Sequence, residues 1–231
     1  VGACLQAVMR LVYAVEPFMK YHDCPLCSSR QSIDYFNDKT RSYLKCQECF
    51  LIFVPPLFHV SELNEMKRYQ LHQNSLDDHG YREFIGRILD PIALRVKKGG
   101  FGLDFGSGPN PVLAALLREM GYEMNIFDLY FAARDTALQQ QYDFISATEV
   151  FEHLRRPNQQ LNSLFKCLKK GGFLFVMTAL TDQVRHFSNW HYITDLTHIC
   201  FYSRKTFEWI ARKWSFEVSF IDENVAVFYK K

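Results

Sequence analysis

The chain has 231 residues, a formal net charge of +2 and 48% apolar residues. That suits one ordinary domain plus a small module and excludes a disordered chain. The near-neutral charge gives no general argument for a nucleic-acid surface, and no apolar run reaches the ~20 residues that span a bilayer.

Residues 1–18 are mildly apolar but are broken by Arg10 and Glu16. They lack a basic start and a clear cleavage site, so they do not read as a signal peptide. They are expected to be an undefined leader, with Met19 just ahead of the first recognisable module. The expectation is a cytoplasmic protein with no membrane contact.

Four of the seven cysteines are paired, as Cys24-Pro25-Leu26-Cys27 and Cys46-Gln47-Glu48-Cys49. Eighteen residues lie between the pairs, within the range for a four-cysteine zinc site. Each short pair can fold as a knuckle, and two knuckles give tetrahedral thiolate ligation with no open position, which is a structural site. Ser32–Tyr43 suits a β-hairpin, and Phe50–Val54 leaves the second knuckle as a strand ended by Pro55 and Pro56. The whole is predicted as a zinc ribbon over residues 19–57. Two disulfides would need an oxidising compartment, and a thioredoxin-like pair would follow a different strand–helix pattern. Cys4, Cys167 and Cys200 are isolated and read as buried or incidental thiols.

Residues 58–97 are predicted as a helical connector. Ser61–Arg68 reads as a short helix and Tyr81–Val96 as a longer one, with Phe84, Ile85, Ile88 and Leu89 on one face. Pro91 is expected to break or kink it. The polar stretch between them makes Tyr69, His72, Asn74 and Tyr81 candidates for a lid, the alternative being a solvated linker.

Residues 98–231 open with Gly102–Phe105, a buried strand carrying Asp104, followed by the turn Gly106-Ser107-Gly108-Pro109-Asn110-Pro111. Gly106 and Gly108 let backbone approach a nucleotide-like ligand. Asn110 is expected to tolerate positive φ and to cap the next helix, Val112–Met120, with Pro111 at its first position and Gly121 as its stop. A second strand ends at Asp128, about 20 residues past the turn, where a carboxylate can accept from ribose hydroxyls. Only 13 residues separate Asp128 from Tyr142. A complete β-α-β-α-β passage needs far more, since each crossover takes a dozen or more, so a third strand and a helix must be reduced or lost there. Tyr130 and Phe131 are candidates for aromatic cover in that gap, the alternative being core packing. Tyr142–Ser146 and Phe173–Thr178 read as strands around a helix carrying Leu161, Leu164, Phe165 and Leu168, which Gly171 and Gly172 are expected to end. Ser203 is a good N-cap for Arg204–Trp214, and Phe216–Ile221 with Val225–Tyr229 form a closing hairpin.

The run Asp104–Pro111 resembles motif I of class I S-adenosylmethionine-dependent methyltransferases. Thr148-Glu149-Val150-Phe151-Glu152-His153-Leu154 resembles the E-V-x-E-H segment of the ubiquinone-biosynthesis-like branch, and Leu168–Leu174 resembles the family's L-K-P-G-G stop. The resemblance covers about residues 98–231. It implies an α/β, Rossmann-like sheet with a C-terminal antiparallel hairpin and a reduced strand-three region, preceded here by the zinc ribbon. It implies S-adenosylmethionine as cofactor, with Asp104, Gly106, Ser107, Gly108, Asn110, Asp128 and Glu149 as binding residues. The N-terminal helical segment of such enzymes often covers the cofactor.

Methyl transfer from a sulfonium needs orientation, and a base only where the acceptor must lose a proton. The acceptor pocket is expected in His186–Tyr202, with Trp190 and Tyr192 as apolar wall and His153, His191 and His198 as catalytic candidates. A structural role is the alternative for each histidine. The resemblance also implies a divalent ion at Glu149, Glu152 and His153, which could polarise an acceptor oxygen; the alternative is that these carboxylates orient the next loop. Three functions stay open. The first is methylation of a small molecule. The second is methylation of rRNA or tRNA, with Arg30, Lys39, Arg41 and Lys45 of the ribbon contacting phosphate. The third is a non-catalytic cofactor-binding or interaction protein.

Overall fold

The computed structural model describes residues 23–71 and 79–231. The leader, Cys4, Met19, His72 and Asn74 lie outside the described residues.

The cysteine module is a three-stranded antiparallel unit: β1 (Ser32–Asn37), β2 (Ser42–Cys46) and β3 (Ile52–Phe53). Its fourth strand comes from far along the chain: Ile52 pairs with Phe201 and Phe53 with Cys200. The module therefore shares its sheet with the body of the protein. Helix α1 (Glu62–Gln70) follows, with the Ser61 hydroxyl accepting from the Asn64 amide as its cap. Helix α2 (His79–Arg95) runs through Pro91, which does not break it; Ile85, Ile88, Pro91 and Ile92 are buried and hold the helix by packing.

Next come β4 (Phe101–Phe105), α3 (Val112–Glu119), β5 (Glu123–Phe127), β6 (Tyr142–Thr148), α4 (Pro157–Cys167), β7 (Leu168–Met177) and β8 (Cys200–Phe201). Helix α5 (Arg204–Trp214) and the hairpin β9 (Phe216–Phe220) and β10 (Val225–Lys230) close the chain. Six strands form the main sheet in the order β5-β4-β6-β7-β10-β9. The first four run parallel, and β10 and β9 are antiparallel to their neighbours. No strand lies beyond β5 among the described residues. The 13 residues after Asp128 make only a bridge from Asp128 to Ala132 and a short turn of helix at Asp135–Gln139. This is the reduced third-strand region expected from the spacing.

The strands alternate sides as a doubly covered sheet requires. Met124, Phe144, Phe175, Met177, Val225 and Val227 meet α2 and α3 on one face. Leu103, Ile145, Leu174, Val176, Ala226 and Phe228 meet α4, α5 and the cysteine module on the other. Helix α3 ends in a Schellman motif, with Gly121 N–H donating to Arg118 and Tyr122 N–H to Leu117. The capping box of Ser203 with Thr206 starts α5.

Two local expectations are corrected. Helix α4 ends at Cys167 rather than at Gly171 and Gly172. Leu168 already pairs with Tyr142, and the glycines lie inside β7, where the register shifts before Phe173 pairs with Phe144. Asn110 has no positive φ, and the N-cap of α3 is Pro111 with no side-chain cap bond. The left-handed positions fall instead on Gly106 and Gly108, so the turn is complete before Asn110 is reached.

Candidate active site

The sheet's strand order reverses at β4, and a crevice opens at the carboxyl ends of β4, β5 and β6. It holds a cavity of about 570 Å³, a size suited to a small ligand. Asp104 to Pro109 line it after β4, Phe127 to Phe131 after β5, and Thr148 to Val150 with His153 after β6.

Gly106 has φ +78° and Gly108 has φ +66°, conformations that cost a side-chain-bearing residue ~1–2 kcal/mol. A Cβ on Gly106 would lie 2.3 Å from Val150 Cγ2, whereas one on Gly108 would meet nothing within 4 Å. Gly106 is thus fixed by packing, while Gly108 keeps a clear face on the cavity. The loop is tied to β5: the Gly106 amide donates to the Phe127 carbonyl at 2.7 Å and the Gly108 amide to Asp128 Oδ2 at 2.9 Å. Asp128 Oδ1 accepts from the amides of Tyr130 and Phe131. It therefore organises the loop as well as facing the cavity.

Buried side-chain oxygens without a partner among the described residues include Ser107 Oγ, Thr148 Oγ1 and Gln160 Oε1, and all three residues line the cavity. Each such atom costs about 1–3 kcal/mol when left unsatisfied. Their convergence on one space is what a polar ligand would relieve.

Asp104 is 3% exposed and accepts from Ser146 Oγ at 3.1 Å. Burial pushes its carboxyl up to about 7, against the pull of Ser146. The folded chain thus binds a proton that the unfolded chain has already lost above the ordinary aspartate value of 3.8. The contribution of Asp104 to the stability of the ligand-free protein accordingly falls as pH rises from about 4 to about 7 and is lost above that. Urea melts across this window should show the slope, and Asp104→Asn should flatten it.

The far side of the cavity is built by the segment after β6. Glu149 sits at φ +52°, a strained position for a glutamate, held by its amide donating to the Met177 carbonyl. The Tyr192 hydroxyl donates to Glu149 Oε2 at 3.2 Å and meets Thr178 Oγ1 at 3.1 Å. Thr178 in turn donates to Glu152 Oε2 at 2.9 Å. Burial, then the neighbouring Glu152 charge, pushes the Glu149 carboxyl well up. Glu152 is fully buried, and its Oε1 has no hydrogen-bond partner among the described residues.

The His153 and His198 rings lie 4.8 Å apart, and both residues line the cavity. His198 Nδ1 is 2.7 Å from the Tyr192 carbonyl and His153 Nδ1 is 3.1 Å from the Thr197 carbonyl. A carbonyl only accepts, so each Nδ1 carries the proton and each Nε2 is the basic nitrogen of the neutral ring. Burial lowers the His198 pKa, offset in part by Glu152. Helix α1 closes the mouth. Glu65 pairs with Arg155 at 2.6 Å, Arg68 pairs with Asp195 at 3.0 Å, and the Tyr69 ring stands edge-on to His153 at 5.1 Å.

Of the predicted cofactor residues, Asp104, Gly106, Ser107, Gly108, Asp128 and Glu149 share this cavity and Asn110 does not. Of the catalytic candidates, His153 and His198 come together. His191 is exposed and is not among the lining residues, because it begins a turn of 3₁₀ helix, His191–Thr194, whose buried members are Tyr192 and Ile193. Within His186–Tyr202, only His198 lines the cavity. Trp190 stacks on Tyr192 at 4.9 Å behind it. Of the expected ion group, His198 joins Glu152 and His153 with ligand atoms within 4.8 Å of one another, and Glu149 stands outside. The Glu65–Arg155 pair was not foreseen, since its members are 90 residues apart and neither belongs to a motif.

The sulfur atoms of Cys24, Cys27, Cys46 and Cys49 lie within 4.8 Å of one another, and the four are free thiols. Their two closest contacts, Cys24 to Cys49 and Cys27 to Cys46, are 3.4 Å. The knuckles are built alike. Ser28 and Phe50, each just after the second cysteine, have φ of 62° and 64°. Their amides donate to the carbonyls of Cys24 and Cys46. The chemistry of this donor set fits one tetrahedral metal ion.

A parallel sheet in this order, closed by an antiparallel hairpin and carrying a glycine loop at its switch point, defines a class I methyltransferase fold. The chain belongs to the methyltransferase-domain family, whose model matches residues 78–219, more than half of its length. A ubiquinone biosynthesis O-methyltransferase of Shewanella pealeana is 29% identical over 93 residues, which are 40% of this chain and 39% of that relative. Human N-acetylserotonin methyltransferase, solved with S-adenosylmethionine, is 13% identical with a TM-score of 0.51, over 74% of this chain and 56% of that one. Phosphoethanolamine N-methyltransferase 2 of Haemonchus contortus, also solved with S-adenosylmethionine, is 17% identical with a TM-score of 0.50, over 68% and 43%. Among the described residues no helix is long and apolar enough to cross a membrane.

Proposed function

We propose that this protein transfers a methyl group from S-adenosylmethionine to a small-molecule acceptor. The observation that carries the reading is a single cavity that joins the glycine loop, Asp104 and Asp128 on one side to Glu149, His153 and His198 on the other. In this reading Asp104 meets the cofactor's amino group, Asp128 meets the ribose, and Ser107, Gly108 and Glu149 complete the contacts. The acceptor's lone pair takes the methyl carbon as the carbon–sulfur bond breaks, and S-adenosylhomocysteine is left. An acceptor proton, where there is one to lose, passes to Nε2 of His198 or His153.

Two observations favour a small molecule over RNA. Among the described residues no lysine or arginine lines the cavity, where phosphate would need them. Arg41, one of the four ribbon cations, is 3% exposed and cannot meet a phosphate. The O-methyltransferase relative makes a catechol-like or phenolic oxygen the first class of acceptor to try.

Cys24, Cys27, Cys46 and Cys49 would hold a structural zinc ion, which supplies cross-linking rather than chemistry. A second reading of the acceptor side has Glu152, His153 and His198 holding a divalent ion. The fully buried Glu152 Oε1 favours it: no hydrogen bond reaches this atom among the described residues, and His153 Nε2 stands 3.9 Å away, so an ion between them would meet both and polarise an acceptor oxygen. Loss of turnover in a chelator that leaves the zinc in place supports this reading, and full turnover removes it.

The test is labelled S-adenosylmethionine with the full chain against cell extract, fractionated into metabolites and RNA. Label in the metabolite fraction is expected. Label in RNA would replace this reading, and label in neither, with cofactor bound, would favour the non-catalytic one. With an acceptor that must lose a proton, alanine at whichever of His198 and His153 takes it should cut turnover by about 10²–10⁴-fold. His191→Ala should leave it within about twofold of the unaltered protein, as expected for an exposed surface position.

A further inference from the structure

We propose that Arg41, carried by the cysteine module, is a positioning residue for the acceptor side of the cavity, a role that rests on the reading of that cavity just given. Arg41 stands in the turn before β2 and is 3% exposed. A buried guanidinium is stable only when its donors are met, and here all five are used. Nη1 donates to the carbonyls of Leu196 at 3.1 Å and His198 at 3.0 Å. Nη2 donates to those of Ile193 at 2.8 Å and Asp195 at 3.1 Å. Nε donates to the Tyr43 hydroxyl at 2.8 Å, which donates in turn to Asp38 Oδ2 at 2.9 Å.

Two further carbonyls of the same loop orient the two histidines. That of Tyr192 takes His198 Nδ1, and that of Thr197 takes His153 Nδ1. One cation thus fixes the loop whose alternate carbonyls set both imidazole tautomers. Backbone bonds run alongside: Val54 N–H donates to Ile199, and Ile199 N–H donates to Glu152. The module is thereby wired to Glu152 and to both histidines but not to the glycine loop. A lysine cannot replace this arginine, because its donors radiate from one point and cannot span four carbonyls.

The test uses the full chain with Arg41→Lys and Arg41→Gln. Histidine-ring NMR across pH reports tautomers and titration, amide exchange reports residues 192–198, and calorimetry reports S-adenosylhomocysteine affinity. The groups facing the rings are Glu152, Asp195, Tyr69 and Tyr192, and none of them is altered. Both variants are expected to lose the Nδ1–H tautomer at His153 and His198 and to exchange loop amides at least about tenfold faster. Affinity for S-adenosylhomocysteine should stay within about twofold. Unchanged tautomers and exchange in folded variants would overturn the proposal. So would a parallel fall in S-adenosylhomocysteine affinity with faster exchange across the whole sheet, which would make Arg41 a general prop. Where neither variant folds, Tyr43→Phe removes one of the five acceptors, and it should give the same signature at lower amplitude; no change there also overturns the proposal. Failure of the unaltered chain to bind S-adenosylhomocysteine would count against the methyl-transfer reading, and the histidine readout would still decide Arg41.

Discussion

With the proposed zinc at Cys24, Cys27, Cys46 and Cys49, Cys46→Ser is expected to abolish metal binding by the module and to lower Tm by about 10–20 °C. Structural zinc sites contribute folding free energy directly, ~10–16 kcal/mol of apparent binding in isolated fingers. Here part of the module's stability comes from elsewhere, because Leu26, Tyr43, Leu51 and Phe53 are buried in the core shared with α4 and α5. A loss of about 5 kcal/mol is therefore expected, at roughly 2–4 °C per kcal/mol for a chain of this size. The consequence for function follows from the shared sheet. Strand β3 supports β8, and the residue before β8, Ile199, donates to the Glu152 carbonyl. Turnover should collapse while S-adenosylhomocysteine still binds. Calorimetric scanning with a metal assay checks this, and an unaltered chain that carries no zinc, or a variant with unaltered Tm, would refute it.

Gly106→Ala and Gly108→Ala separate packing from ligand approach. At Gly106 the new methyl meets both a left-handed backbone and Val150 at 2.3 Å. The left-handed term is ~1–2 kcal/mol and overpacking adds ~1–3 kcal/mol. Stability and cofactor affinity should fall together, the latter by about 100-fold or more. At Gly108 the methyl meets nothing within 4 Å. Stability should fall only by the ~1–2 kcal/mol backbone term, yet affinity should drop sharply, because the methyl occupies the space a ligand needs. Denaturant melts beside calorimetric titrations distinguish the two. Equal affinity loss with the same ~1–2 kcal/mol stability loss in both would mean that Val150 yields freely.

What was legible in the sequence is what local chemistry dictates. The glycine turn, the carboxylate at the end of β5, the N-cap at Ser203 and the two knuckles each depend on a few adjacent residues, and each formed where it was expected. The short passage after Asp128 also predicted a reduced or lost third strand, because chain length limits a crossover. Errors arose where tertiary contacts outweighed local preference. Of the break or kink expected at Pro91, the break does not occur, because that face of α2 is buried. Gly171 and Gly172 sit within β7 because pairing with β6 had already begun. Asn110 was given a role that Gly108 fills.

The acceptor side was the least legible. It depends on contacts between residues far apart in the chain: Glu65 with Arg155, Thr178 with Glu152, and Arg41 with four carbonyls 152 to 157 positions away. A polar, aromatic-rich segment marked His186–Tyr202 as important without saying which side chains face inward. The 3₁₀ turns at Phe187–Asn189 and His191–Thr194 bury Tyr192 and leave His191 outside. No periodicity announces such a turn, and the arginine that fixes the loop resembled an ordinary charge on a ribbon surface.

The most direct measurement of the central claim is a calorimetric titration of the full chain with S-adenosylhomocysteine, run beside Gly108→Ala. The expected result is one molecule bound per unaltered chain, at micromolar Kd, with binding nearly abolished in a variant that still folds and has lost only the ~1–2 kcal/mol backbone term. Absence of saturable binding to the folded, unaltered chain, or equal binding to both, would contradict the assignment of this cavity to the cofactor.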